Sequence, residues 1–160
     1  MEISKNSRVW IYQSSRPLTL DEENIIQSKL NVFISQWEAH GNMLAATAEI
    51  RYNRFIILMV DETQAGATGC SIDKSVNLMK QIEEELKLDL FDRFNIAYRV
   101  DNQIHSCSRE DFEKLIIEGK ITENTIVFNN LAQTLNELDT SWEVPFKNSW
   151  HARVFNLTNA

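Results

Sequence analysis

A chain of 160 residues with 43% apolar content can bury one good core, or two small ones that lean on each other, and it carries a formal net charge of -7. Acidic residues are spread from Glu22-Glu23 through Glu83-Glu84-Glu85 to Glu137, and no basic run offers the footprint that nucleic acid or an anionic membrane needs. No apolar run approaches the roughly 20 residues of a membrane span, and the N-terminus lacks the pattern of a signal peptide, so a cytoplasmic protein that binds neither membrane nor nucleic acid is expected.

Cys70 and Cys107 stand far apart, without Cys-x-x-Cys or Cys/His spacing. Reduced thiols are expected, with no disulfide framework, metal site or cofactor implied.

Arg8-Val-Trp-Ile-Tyr-Gln13 alternates apolar with polar positions and reads as a first strand. Thr19 and Glu22 have capping-box spacing, and Ile26, Leu30, Phe33, Ile34 and Trp37 recur at helical intervals up to His40-Gly41, where a C-cap glycine is expected. Met43 to Tyr52 and Arg54 to Val60 read as two strands joined by a tight antiparallel hairpin at Tyr52-Asn53. Phe55 to Val60 holds no polar residue, so both faces of this strand need cover and a central position in a sheet is predicted. Uncovered, one face would invite a second copy of the chain to pair.

The loop Asp61 to Asp73 follows, with two of the four glycines. A second helix is then marked by Val76, Met79, Ile82 and Leu86, with Ser71 or Asp73 as its N-cap. Asn95 to Val100 is the next strand, Asp101-Asn102 a turn and Ile104 to Cys107 a short strand. Ser108 starts a helix carrying Phe112, Leu115 and Ile116 that Gly119 ends, and Thr125 to Phe128 is a further strand. The last third reads as short irregular pieces, with a loose tail over 156–160.

Chemistry centres on the glycine loop. Cys70, at a helix N-terminus, is a candidate nucleophile with His40 or His151 as its base; the other reading is a small buried residue beside tight glycines. Gly66, Gly69 and Ser71 can present backbone N–H groups to an anion, with Asp73 as a general acid or base and Arg54 as a cationic ligand group, although turn geometry, helix capping and a solvated hairpin are the simpler accounts of these residues. Tyr98, Phe128, Trp142 and Trp150 are candidates for an aromatic surface that docks a peptide; core packing is the competing account.

The blocks Trp37-Glu-Ala-His-Gly41, Tyr52-Asn-Arg-Phe-Ile-Ile-Leu58, Gly69-Cys-Ser-Ile-Asp73, Leu90-Phe-Asp-Arg93, Thr125-Ile-Val-Phe-Asn-Asn130 and Ser149-Trp-His-Ala-Arg153 resemble those of a family of short bacterial proteins often labelled ABC transporter ATPase. That label implies a Gly-x-x-x-x-Gly-Lys-Ser/Thr loop. Here Gly66-Ala-Thr-Gly69 runs into Cys70-Ser71 without the lysine, so ATPase activity is not expected. Tyr98 to Phe128, with Phe112-Glu-Lys-Leu-Ile-Ile-Glu-Gly-Lys-Ile121 and a strand ending in an aromatic residue, is similar to the bacterial GYF-like domain, which implies a small adaptor; Ser106-Cys107-Ser108 stands where that family usually has Gly-Pro.

The order strand, helix, strand, strand, helix, strand is that of a split βαβ unit. The expectation is therefore an α+β protein: a ferredoxin-like part over residues 1–93, joined without a linker to a GYF-like part over 94–155. Its expected function is protein interaction, with a partner protein or peptide on the aromatic face. A small enzyme or anionic-ligand-binding protein built on Asp61 to Asp73 is the alternative.

Overall fold

The computed structural model describes residues 3–155, so the expected loose tail lies outside the described residues. The fold is α+β, built from two antiparallel sheets and a small hairpin with helices packed around them. Strand β1 (Arg8–Gln13) leads into α1 (Leu20–Gln36), whose N-terminus is the expected box: the Thr19 hydroxyl accepts from the Glu22 N–H, and the Glu22 carboxylate accepts from the Thr19 N–H. Arg16 clasps the same carboxylate with two nitrogens at 2.7 and 2.8 Å, chiefly thereby holding Glu22 down at a pKa of about 2.

Helix α1 stops four residues short of the expected cap. Trp37 is extended, and β2 (Glu38–Ala39) and β3 (Asn42–Met43) form a hairpin whose turn is His40-Gly41, both at positive φ. Trp37 kept the helical spacing for another reason. It is buried against Trp10 and Phe33, and its indole N–H donates to the Ser71 carbonyl at 2.8 Å, tying the end of one helix to the start of the next.

Strands β4 (Ala45–Arg51) and β5 (Phe55–Asp61) pair antiparallel through the predicted Tyr52-Asn53 turn, with positive φ at both residues. β5 is the central strand of the sheet β1-β5-β4, as its unbroken apolar run requires. Its residues sort by parity. Ile56, Leu58 and Val60 face α1 and α2 (Gly69–Leu86) with Leu30, Met79 and Ile82, whereas Phe55, Ile57 and Met59 face Ala97, Phe128, Leu138 and Trp142 of the C-terminal part. The second face is thus covered from within the chain.

β6 (Ile96–Val100) does not join this sheet. It pairs with β7 (Gln103–Cys107) across the Asp101-Asn102 turn and with β8 (Ile126–Phe128), which pairs in turn with β9 (Glu143–Pro145). α3 (Arg109–Ile117), capped by Ser108, packs Phe112 against Ile96, Val127, Phe146 and Phe155 on the outer face. The expected irregular C-terminal stretch contains α4 (Leu135–Ser141), β9, a 3-10 turn at Phe146–Asn148 and α5 (His151–Val154). No helix among the described residues is long and apolar enough to cross a membrane.

Candidate functional site

The glycine loop is closed on itself. The N-cap of α2 is Thr68, not Ser71 or Asp73: its hydroxyl accepts from the Ser71 N–H, and the Ser71 hydroxyl accepts from the Thr68 N–H at 2.7 Å. Glu62 accepts from the Ala67 N–H at 2.8 Å, and a Cβ on Gly66 would meet that carboxylate at 3.1 Å, so Gly66 serves this close approach. Asp61 accepts from Thr63 and from the Ser4 N–H, which lowers its pKa. The Ala67, Thr68 and Ser71 N–H groups are thus engaged by the loop's own side chains, whereas the Gly66 and Gly69 N–H groups bond to no described residue.

Cys70 and Asp73 are exposed on the first turns of α2, so Cys70 is not the small core residue that one reading held. No hydrogen bond joins its thiol to a described residue. His40 is exposed at the tip of the β2-β3 hairpin, whereas His151 is only 2% exposed, in the C-terminal part, with Nδ1 at 3.0 Å from the Ser149 hydroxyl. That hydroxyl also lies 3.0 Å from the Phe146 carbonyl, and burial lowers the His151 pKa to about 4. Among the described residues there is no group of three or more His, Cys, Asp and Glu placed to hold a metal.

Arg54 does not belong to a solvated turn. It is 5% exposed; Nη1 donates to the Ser106 hydroxyl at 2.7 Å, and Ser106 donates to the Ser15 carbonyl at 3.2 Å. No carboxylate among the described residues pairs with it, and burial lowers its pKa.

The four aromatic candidates separate. Phe128 and Trp142 are 2% and 1% exposed and pack with Phe55 and each other at 4.9–5.1 Å, Trp142 edge-to-face on both phenylalanines and Phe128 tilted on Phe55, which makes them core, not a docking face. Tyr98 is half-buried between His105 and Phe112. Trp150, stacked on His151 with centroids 3.8 Å apart, lines a cleft, and its buried indole N–H has no partner among the described residues.

That cleft, of about 720 Å³, lies between the two sheets. Its walls are the end of β1 (Ile11, Tyr12, Gln13), the loop Leu90 to Asn95 with the start of β6, the Asn130-Leu131 turn, and Trp150, His151, Val154 and Phe155. Phe91, Phe94, Leu131 and Val154 expose large apolar surface around it, Phe94 and Leu131 at 66% and 65%.

A polar chain crosses its wall. The Trp142 indole N–H donates to Asn130 Oδ1 at 2.9 Å, Asn130 Nδ2 donates to Gln13 Oε1 at 2.8 Å, and Gln13 Nε2 donates to the side-chain and main-chain oxygens of Asn95. Gln13, Asn95 and Asn130 were not among the sequence candidates; a buried glutamine ending an alternating strand is the only signal they gave. Phe91 and Phe94, apolar residues inside a charged loop, were the other.

The structure thus brings Trp150 and His151 together and leaves Cys70, His40 and Tyr98 apart from them. Compared with known proteins, the chain matches no family model, no curated protein and no solved structure.

Proposed function

We propose that the chain is a protein-interaction module that holds an apolar segment of a partner protein in the cleft between its two sheets. The observation that carries this is the gathering of Phe91, Phe94, Leu131 and Val154, all exposed, around one concave site. The expected aromatic face moves accordingly: Trp150 and the buried Phe128 line the cleft, and Tyr98 and Trp142 do not. The ferredoxin-like expectation fails at its last strand, since β6 pairs with β7 and β8 and leaves β1-β5-β4 as a three-stranded sheet; on this reading the C-terminal part is a GYF-like adaptor, and the protein works in the cytoplasm. The alternative of an enzyme on Asp61 to Asp73 draws no support from contacts of Cys70, and three of the loop amides, those of Ala67, Thr68 and Ser71, already serve Glu62, Ser71 and Thr68.

The test is site-specific photocrosslinking in cells. A crosslinker at Phe94 or Leu131 is expected to give the same adduct, and one at Ile117, which is 84% exposed on α3, is expected to give none. Equal adducts from all three positions, or adducts from Ile117 alone, would refute the cleft as the docking site. If the adduct is a second copy of the chain, the partner is homodimeric.

A further inference from the structure

The cleft opens on a sheet edge that the chain itself covers at both ends and leaves bare in the middle. β1 is the outer strand of its sheet, and in an antiparallel ladder alternate residues direct both main-chain groups towards the partner strand and away from it. The Val9 N–H donates outward to the Gln133 carbonyl at 3.0 Å, and the Ser7 carbonyl accepts from the Leu135 N–H at 2.8 Å. Ser14, of opposite parity, donates inward to the Arg54 carbonyl at the end of the β4-β5 hairpin.

Ile11 and Gln13 therefore point their N–H and C=O groups outward. Beyond them the edge is covered again, where the Ser15 N–H donates to the Asp89 carbonyl at 3.1 Å. Between these two covers, no described residue bonds to the outward main-chain groups of Ile11 or Gln13, and both residues line the cleft. The cause lies in the covering segment: antiparallel to β1 at Gln133 to Leu135, it turns away at Asn129 to Ala132, where the Ala132 N–H donates to the Asn129 carbonyl, and the Asn129 N–H is held by the Trp142 carbonyl.

We propose that this gap is a β-augmentation site: an extended segment of the partner protein pairs with Ile11 and Gln13 as an added strand, seats one apolar side chain in the cleft and presents an acidic residue to Arg93 and Arg109. The proposal rests on the docking reading above and adds its mechanism. Main-chain pairing supplies affinity at a bare edge, and the alternating side chains supply selectivity. The charge preference comes from two arginines on the cleft wall of a chain whose net charge is -7. Arg93 forms no ion pair among the described residues, and Arg109 reaches only Glu113, at 3.8 Å. The single carboxylate on the wall, Asp92, is turned to cap the Phe94 N–H at 2.9 Å.

The probe is a phage-displayed pool of random eight-residue peptides selected against the full chain, with the winners mapped by amide shifts in ¹H–¹⁵N spectra. Expected are winners that carry an acidic residue, protect the Ile11 and Gln13 amides from exchange, and lose about tenfold in affinity for each strand-facing amide that is N-methylated. Arg93→Glu with Arg109→Glu, both at the surface, should lower affinity at least tenfold. Winners that shift cleft amides but tolerate N-methylation at every position would overturn strand pairing and leave the docking reading standing. Enrichment of basic peptides would overturn the acidic partner. No winner, or winners that shift only residues outside the cleft, would overturn both; cleft amides that shift on diluting the protein alone would overturn a separate partner protein and make the occupant of the cleft a second copy.

Discussion

Acidification towards pH 5 should destabilise this protein chiefly through one side chain. His151 is buried as the neutral imidazole with its pKa lowered from 6.5 to about 4, burial being the cause. The native state therefore binds fewer protons than the unfolded chain between these two values, and the stability present above pH 6.5 is lost as pH falls towards 4. At pH 5 the unfolded imidazole is almost fully charged and the native one almost fully neutral, a difference of about 2 kcal/mol relative to pH 7.5. Glu22 acts in a lower window, from 4.5 down to about 2, so the two are separable. His151→Asn keeps a hydrogen-bonding group for the Ser149 hydroxyl and removes the titration. Urea denaturation at pH 7.5 and 5.0 is expected to show the native sequence losing roughly 2 kcal/mol more than the variant over that interval. Equal losses would refute a buried neutral imidazole, whatever the variant's absolute stability.

Other substitutions test particular contacts. Thr68→Ala removes the reciprocal cap of α2 and should cost about 1 kcal/mol in denaturant melts. Arg54→Met, which replaces a buried cation without a carboxylate partner, should change stability by less than about 1 kcal/mol, while Ser106→Ala should cost roughly 2 kcal/mol alone and little in the Arg54→Met background, a coupling read by a double-mutant cycle. Trp142→Ala is expected to destabilise by about 3–5 kcal/mol, so loss of a partner in that variant would report unfolding. Iodoacetamide should modify the exposed Cys70 readily in the native protein and Cys107 slowly, because burial pushes the Cys107 thiol up to about 11; Cys70→Ser should be neutral within about 0.5 kcal/mol.

Features written in neighbouring residues were legible in the sequence. The Thr19/Glu22 box and the turns at Tyr52-Asn53 and Asp101-Asn102 are local chemistry, and the apolar run of β5 states its own need for two covers. Errors arose where two causes give one pattern. Trp37 continues the helical spacing of α1 although the helix has ended, because a contact with α2 also buries it there. Ser71 does take part in the cap of α2, but at its third position, as the acceptor for the Thr68 N–H. Trp142 follows an acidic stretch that gives no periodic signal, and only the approach of Phe55 from the first sheet makes it core. The cleft was invisible for the same reason. Phe94, Leu131 and Trp150 come from three segments without periodicity, and nothing short of the packed fold places them together.

The demand of β5 for cover on both faces also explains why the cleft exists. To bury Phe55, Ile57 and Met59 the C-terminal part must lie across the sheet, and its chain crosses the β1 edge once, at Gln133 to Leu135. Trp142, whose indole donates to Asn130 and whose carbonyl holds the Asn129 N–H, draws the crossing segment out of line with β1, and Asn130 meets Gln13 through side chains alone. The bare edge is thus fixed by buried contacts costly to break, whereas Phe91, Phe94 and Leu131 stand on loops with little buried surface. A guest strand would meet a rigid floor and a rim able to adjust, which confines the ordering cost of binding to the rim.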